Sequence, residues 1–212
     1  MDLTLTEIGN KYGTDKSTFH KFTDFYDINL KELRDKKLSV LEVGILDGNS
    51  IKMWHDYFTQ SIIYGVDIRD YRYLENNRIK TLVANQENEG HLRSLPKNLD
   101  IIIDDGGHTM FQQQITLKVL FLENLKSGGI FILEDLHTSL PKYRSSHGCT
   151  NENNTLKLVK DLKDGRLSDD NNYFINQIDF NLLLEQIDSV EILDLGEFPV
   201  GEPHITSIIR KK

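Results

Sequence analysis

Short, nearly continuous runs of apolar residues alternate along the chain with stretches whose apolar positions recur at helical spacing. Continuous apolar runs are typical of strands that are covered on both faces of a parallel sheet. Helical patterns at 50–58 and 110–125 separate several of these runs. The alternation predicts an α/β fold. The predicted strands lie at 38–44, 61–68, 79–85, 99–105, 128–136, 189–195 and 204–211.

The last two predicted strands are joined by the short link "GEFPVGEP". A parallel crossover needs a dozen or more residues, so this link predicts an antiparallel pair. The expected fold is therefore a Rossmann-like, doubly wound sheet of seven strands, mostly parallel with an antiparallel C-terminal strand. We treat 1–212 as one domain.

Two segments stand outside the alternation of strands and helices. Residues 1–35 form an N-terminal extension that contains "YGTDKSTFHKFTDFYD". Residues 138–174 are polar and predict a long loop with one helix at 155–164. Long insertions in compact domains are often functional, so we expect 138–174 to form a substrate loop.

Composition narrows the classes of protein that fit. Hydrophobic residues make up 38% and charged residues 27% of the chain, as in ordinary globular proteins. The formal net charge of -8 disfavours non-specific binding to nucleic acid. No apolar run approaches the roughly 20 residues of a membrane helix, and the N-terminus does not have the pattern of a signal peptide. We expect a cytoplasmic protein with a small-molecule substrate, and homo-oligomerisation stays open.

The chain has one cysteine, Cys149. A single cysteine cannot form an internal disulfide, which fits a reducing compartment. We interpret Cys149 as an incidental thiol in a polar loop.

The stretch "LEVGILDGNS" places Gly44 and Gly48 directly after the first predicted strand. Such a turn lets a ligand approach the backbone, although the fingerprint G-x-G-x-x-G is missing because position 46 is leucine. Glu42 puts a carboxylate at the end of a buried strand, and Asp67 ends the second strand about 20 residues further on. This spacing favours nucleoside binding, with Asp67 accepting ribose hydroxyls; the alternative is that both acids cap helices.

Two clusters of acids and histidines follow the fourth and fifth predicted strands. Parallel neighbours lie about 4.8 Å apart and end at the same edge of the sheet, so the clusters should converge. Carboxylates that close together need a cation among them, although capping of helices and turns is the simpler alternative. The clusters comprise Asp104, Asp105 and His108, and then Glu134, Asp135 and His137.

Oxygen-rich clusters favour a hard cation, Mg²⁺ or else Mn²⁺ or Ca²⁺, over zinc. We predict Asp105, Glu134 and Asp135 as its ligands. His108 would be the general base, aimed into the site by the conformational freedom of the two glycines that precede it. His137 is either a supporting residue of this site or a surface residue.

Several blocks of sequence resemble one enzyme family. "YGTDKSTFHKFTDFYD", "LEVGILDGNSIKMWHDYF", "GVDI", "DIIIDDGGH" and "GGIFILEDLHTS" occur in this order. Together they resemble the sugar O-methyltransferases of the macrocin and mycinamicin type, which are class I enzymes that use S-adenosylmethionine and magnesium. "IDDGGH" and "LEDLHTS" are the most specific of these blocks.

The resemblance implies a role for each matching residue. Around the cofactor it places Glu42, Gly44, Gly48, Asp67, Asn85, Gln86 and Asp104. Asn85 and Gln86 would lie beside the adenine, and Asp104 would border the pocket. Asp105, Glu134 and Asp135 match magnesium ligands, and His108 matches the catalytic base. "GTDK" and His20 match a segment near the active site, with no individual role assigned.

The resemblance predicts methyl transfer from S-adenosylmethionine to a hydroxyl of a sugar, nucleotide-sugar or glycoside. A catechol-type O-methyltransferase shares the metal chemistry and is the nearest alternative. A nicotinamide-dependent sugar oxidoreductase would share the sheet and Asp67, but it leaves the acid clusters unexplained. A binding protein that has kept the fold without catalysis is a third alternative, and the intact acid clusters disfavour it.

Overall fold

The computed structural model describes residues 3–197 and 203–212. Within them, one sheet of seven strands has helices on both faces. The strand order is β3-β2-β1-β4-β5-β7-β6. The strands are β1 (Ser39–Val43), β2 (Ile62–Asp67), β3 (Ile79–Val83), β4 (Leu99–Asp104), β5 (Leu125–Leu133), β6 (Ile187–Glu197) and β7 (Pro203–Lys211).

Strands β1 to β5 pair in parallel, whereas β7 is antiparallel to both of its neighbours, β5 and β6. The predicted mostly parallel sheet with an antiparallel C-terminal strand is therefore confirmed. The position of β7 between β5 and β6 was not predicted. Residues 198–202 of the predicted link "GEFPVGEP" lie outside the described residues.

The fifth strand ends at Leu133 and not at 136 as predicted. Glu134 still donates its amide to the carbonyl of Asp104, at 3.0 Å. Asp135 then adopts a left-handed backbone with φ of 54°, which turns the chain away from the sheet. Its apolar neighbour Leu136 is buried in a 3₁₀ turn and does not belong to the strand.

The helices fill the connections between strands, and the two predicted at 50–58 and 110–125 are both present. The larger of these begins at a capping box, in which Thr109 and Gln112 satisfy each other's backbone amides. The helices are α1 (Leu5–Tyr12), α2 (Asp15–Thr18), α3 (Thr23–Leu30), α4 (Asn49–Tyr57), α5 (Glu89–Ser94), α6 (Met110–Glu123), α7 (Arg144–His147), α8 (Thr155–Asp164) and α9 (Gln177–Gln186).

Each face of the sheet has its own buried cluster. Helices α1, α3 and α4 contribute to one cluster, which contains Trp54 with no exposed surface. Helices α5, α6, α8 and α9 contribute to the other. No helix in the described part of the chain is long and apolar enough to cross a membrane.

The N-terminal extension is helical and packs on α4. Helix α1 ends at Gly13 in a left-handed conformation, with φ of 71°. Ser17 packs tightly against Gly9, where a Cβ atom would lie 2.7 Å from the Ser17 hydroxyl oxygen. This close packing brings α2 and its residue Lys16 to the carboxyl edge of the sheet.

The polar segment 138–174 contains more regular structure than the one predicted helix. Its predicted helix 155–164 is α8, and the segment also contains α7 and a 3₁₀ turn at Pro141–Tyr143. Cys149 lies between α7 and α8, is 2% exposed, and has its Sγ atom 3.2 Å from the carbonyl oxygen of Leu140. The thiol is thus buried, although the residues around it in sequence are polar.

Candidate active site

A cavity of about 510 Å³ opens at the carboxyl edge of the parallel strands. The turns after β1, β2, β3 and β4 form its wall, together with Asp135 and the segment 13–15. Open α/β sheets bind their ligands at this edge. Of the predicted site residues, those that line the cavity are Gly44, Asp67, Asn85, Gln86, Asp105, His108 and Asp135. Those buried behind the wall are Glu42, Gly48, Asp104 and Glu134.

The glycine turn after β1 allows two backbones to come unusually close. Gly44 has φ of +94°, and a Cβ atom on it would lie 1.9 Å from the carbonyl oxygen of Asp105. Gly48 has φ of +78° and precedes α4, where a Cβ atom would lie 2.6 Å from a methyl carbon of Leu74. Glycine at both positions is therefore required by the backbone itself.

Asp67 is fixed at the edge of the cavity by two backbone amides. Its Oδ2 atom accepts from the amide of Ile45 at 3.0 Å, and its Oδ1 atom accepts from the amide of Arg69 at 2.9 Å. Each carboxylate oxygen can accept a second hydrogen bond. The carboxylate is therefore able to receive hydroxyl groups from a ligand without losing its own anchors.

Gln86 links the ends of β3 and β4. Its side-chain nitrogen donates to Oδ1 of Asp104 at 2.7 Å, and its side-chain oxygen accepts from the amide of Gly107 at 2.9 Å. Asp104 is 1% exposed, and burial raises its pKa well above the ordinary value. These contacts hold Gln86, which lines the cavity, against the buried Asp104.

The imidazole of His108 lies between two carboxylates. Its Nε2 atom is 3.2 Å from Oδ2 of Asp135 and 3.8 Å from Oδ1 of Asp105. Among the described residues, these three side chains form a group whose ligand atoms all lie within 4.8 Å of one another, close enough to hold a metal ion. The polar ends of β4 and β5 thus meet.

Backbone strain coincides with this cluster. His108 and Asp135 have φ of 58° and 54°, in the left-handed region that residues other than glycine rarely adopt. The single hydroxyl hydrogen of Thr138 is shared between the carbonyl oxygens of both residues, which lie 3.1 and 2.8 Å from Oγ1. Strain at paired residues beside a cavity is typical of functional sites.

Gly106 and Gly107 act differently from the expectation. Neither has a positive φ, so conformational freedom is not what they supply. A Cβ atom on Gly106 would lie 2.2 Å from the side-chain oxygen of Gln86, and one on Gly107 would lie 2.3 Å from that of Gln112. The two glycines make room for these amides, and His108 itself carries the unusual backbone conformation.

Lys16, in the "GTDK" block that the resemblance placed near the active site, had no role assigned from the sequence. Its side chain has no exposed surface, and its ammonium contacts Oδ2 of Asp105. It also lies 3.0 Å from Oε2 of Glu134 and 3.3 Å from Oε1 of Glu42. Asp105 and Glu134 therefore converge as predicted, but a lysine is already among them.

Electrostatics keep this lysine charged. Burial by itself lowers the pKa of Lys16, but Asp105, Glu134 and Glu42 outweigh it and raise the pKa well above the usual value. Burial raises the pKa of Glu134 well above its ordinary value, although Lys16 opposes the shift. Three carboxyl groups therefore share one ammonium in this cluster.

Oxygen atoms without hydrogen-bond partners remain in this cluster. Oε1 of Glu134 and Oδ1 of Asp135 are buried and accept no hydrogen bond. Leaving buried polar oxygens unsatisfied is costly, and a bound cation is one remedy. Together with the Asp105–His108–Asp135 group, these oxygens fit a hard divalent ion bound by carboxylates.

Histidines surround Asp135 on its other side. Nδ1 of His20 lies 3.7 Å and Nδ1 of His137 lies 3.6 Å from Oδ1 of Asp135, and His20 is 2.7 Å from Nδ1 of His204. Burial by itself raises the pKa of Asp135, but His108, His20 and His137 outweigh it, so that the pKa is lowered. His137 is 8% exposed and is not a surface residue.

Glu42 belongs to the layer behind the cavity. Its Oε2 atom accepts from the Ser50 hydroxyl at 2.7 Å, and its Oε1 atom accepts from the indole of Trp54 at 3.2 Å. With Lys16 also in contact, the buried carboxylate is fully paired, as the cost of burying a charge requires. Its predicted contact with a cofactor stays a prediction.

Known proteins resemble this chain in sequence. Demethylmacrocin O-methyltransferase of Streptomyces fradiae is 36% identical over 146 residues, which are 64% of this chain and 37% of the relative. An 8-demethyl-8-(2-methoxy-alpha-L-rhamnosyl)-tetracenomycin-C 3'-O-methyltransferase of Streptomyces olivaceus is 35% identical over 173 residues, 76% of this chain and 44% of the relative. The chain thus spans less than half the length of these curated relatives. No protein-family model matches it.

A solved structure shares the fold. The MycE methyltransferase from the mycinamycin biosynthetic pathway, in complex with Mg and SAH, superimposes with a TM-score of 0.78 at 24% identity. The match covers 100% of this chain and 55% of that chain. This likeness confirms the predicted Rossmann-like fold.

Proposed function

Because the chain is related in sequence to sugar O-methyltransferases of the macrocin and mycinamicin type, we propose that it moves a methyl group from S-adenosylmethionine to a hydroxyl of a sugar or glycosylated small molecule. One observation carries the proposal. The imidazole of His108 lies between Asp105 and Asp135, on a cavity that Gly44 and Asp67 also line.

S-adenosylmethionine would supply an electrophilic methyl group from this cavity. Asp67 would accept the ribose hydroxyls, since each of its oxygens keeps a free acceptor position. The bare backbone at Gly44 would let the methionine portion approach β1. Asn85 and Gln86, both on the cavity wall, would contact the adenine.

Asp105, Glu134 and Asp135 would hold Mg²⁺, which when bound supplies positive charge that lowers the pKa of a hydroxyl beside it. The unsatisfied oxygens of Glu134 and Asp135 support this assignment. MycE, with the same fold, was solved with Mg and SAH.

His108 would accept the proton of the acceptor hydroxyl. Asp135, 3.2 Å from Nε2, would fix the orientation of the ring and stabilise the imidazolium that forms. A positioned base of this kind is worth about 10²- to 10⁴-fold in rate. The left-handed backbone of both residues, tied by Thr138, keeps them together.

The decisive experiment compares His108→Ala with the wild-type chain. We expect the variant to bind S-adenosylhomocysteine normally in calorimetry and to lose about 10²- to 10⁴-fold in turnover. His55→Ala is the matched control, because His55 lies on α4 and contacts Asp56, away from the cavity wall. Wild-type turnover by the His108 variant would refute the assigned base.

The acceptor is the next unknown, and a screen should include nucleotide-sugars, glycosides and a catechol. Methylation of sugars would support the proposal, whereas exclusive methylation of the catechol would favour a catechol-type O-methyltransferase. Binding of NAD in place of S-adenosylhomocysteine would favour the oxidoreductase. A cytoplasmic location, with no nucleic-acid or membrane partner, stays a prediction. The oligomeric state stays open.

A further inference from the structure

Lys16 is held in one place by its own segment. The carbonyl of Lys16 accepts from the amide of Phe22 at 2.9 Å, and the neighbouring Ser17 bonds back to the carbonyl of Thr14 at 3.0 Å. Ser17 in turn packs against Gly9 without room for one more atom. The ammonium is therefore a fixed charge and not a flexible surface group.

Lys16 uses one oxygen from each carboxylate that it contacts. It takes Oδ2 of Asp105, Oε2 of Glu134 and Oε1 of Glu42. The second oxygen of Glu42 accepts from Ser50, so that carboxylate is fully engaged. The second oxygen of Asp105 faces His108, and the second oxygen of Glu134 has no hydrogen-bond partner.

The carboxylate oxygens of Asp105 and Glu134 that do not contact Lys16 remain available at the carboxyl edge of the sheet. Asp105 and Glu134 each contact the Lys16 ammonium through one carboxylate oxygen. The other oxygen of each carboxylate is left for a second cation. Without Lys16, the carboxylates of Asp105, Glu134 and Glu42 would repel one another with no fixed charge between them.

We propose that Lys16 is a positioning residue of the catalytic centre, which orients Asp105 and Glu134 so that their remaining oxygens bind a divalent ion. The inference rests on the proposed function only in taking these two acids as metal ligands. Partners that orient metal ligands from behind typically change metal affinity by about 10- to 100-fold when they are removed.

The test measures Mn²⁺ binding by electron paramagnetic resonance of the free ion, with no acceptor present. We expect Lys16→Met, which keeps length and removes charge, to weaken Mn²⁺ binding by about 10- to 100-fold. Lys16→Arg should recover part of this loss. Lys11→Met is the matched control, because Lys11 lies on the adjacent helix α1 in a surface pair with Asp56, and its Mn²⁺ binding should match the wild type.

The direction in which Lys16→Met changes Mn²⁺ affinity tests the inference. Mn²⁺ binding by Lys16→Met that equals or exceeds the wild type would overturn the inference, because the lysine would then merely occupy the place of the ion. Circular dichroism establishes that each variant is folded. If Lys16→Met does not fold, a crystal of the wild-type chain grown with Mn²⁺ gives the answer.

In that crystal the inference requires Lys16 to keep its contacts with Asp105 and Glu134 while the ion binds their other oxygens. A lysine displaced from both acids would refute it. A further outcome is that the chain binds Mn²⁺ in a Lys16-dependent way and yet methylates no acceptor. That result would support this inference and refute only the proposed activity.

Discussion

Replacing Gly44 by alanine tests whether the contact between the first and fourth strand turns shapes the cavity. The added Cβ atom would lie 1.9 Å from the carbonyl oxygen of Asp105, so the two turns would have to separate by about 1.5 Å to reach an ordinary contact of 3.4 Å. The backbone at Gly44 also has φ of +94°. Left-handed backbone costs an L-residue about 1–2 kcal/mol, and forced overpacking adds about 1–3 kcal/mol.

Gly165→Ala separates these two effects. Gly165 ends α8 with φ of +68° and nothing within 4 Å of the added atom, so it should cost only about 1–2 kcal/mol for the backbone strain. Gly44→Ala should cost about 2–5 kcal/mol in total. Urea unfolding monitored by circular dichroism gives both free energies of unfolding.

The same pair of variants tests the cavity. Gly44→Ala should weaken binding of S-adenosylhomocysteine about tenfold or more, equivalent to about 1.4 kcal/mol, whereas Gly165→Ala should leave it unchanged. Equal stability of the two variants, together with normal ligand binding by Gly44→Ala, would refute the role of this close approach in shaping the cavity.

Three further outcomes are expected. EDTA should abolish methyl transfer and Mg²⁺ should restore it, and full activity in chelator would remove the metal from the mechanism. Although burial raises it, hydrogen bonds from Lys11, Tyr12 and His55 lower the pKa of Asp56 from 3.8 to about 2. The stability that Asp56 contributes is therefore present above pH 4 and lost as the pH falls through about 2. Asp56→Asn should lower the free energy of unfolding by roughly 1–2 kcal/mol at pH 6 and by less near pH 2, as measured by urea unfolding. Cys149, 2% exposed with its pKa raised by burial, should react slowly with a disulfide reagent until the chain is unfolded, and rapid labelling would contradict its packing.

The strands could be predicted because burial on both faces leaves a continuous apolar signal. For the same reason, the polar residues at their ends stood out, and sheet geometry alone brought Asp105, His108 and Asp135 together. The metal ligands and cofactor contacts themselves stay predictions. Parallel strands end at one edge of a sheet, so side chains from two distant segments can be placed together from sequence.

Lys16 could not be predicted by the same reasoning. It lies 89 positions before Asp105 and 118 before Glu134, in a segment whose placement depends on packing of α1 and α2. A lysine in a polar segment normally indicates solvent, not a buried counter-charge. The left-handed backbones of His108 and Asp135 were equally hidden, because nothing in either residue type requires that conformation.

The order of strands in the sheet has a consequence for how the protein folds. β6 is synthesised before β7, yet in the described part of the sheet it pairs with β7 and with no earlier strand. Until Pro203–Lys211 have left the ribosome, β6 has no partner and β5 keeps an open side. That interval is when this chain is most exposed to mispairing and aggregation, so slow translation or a destabilising change in β7 should reduce the yield of folded protein before it affects any chemistry.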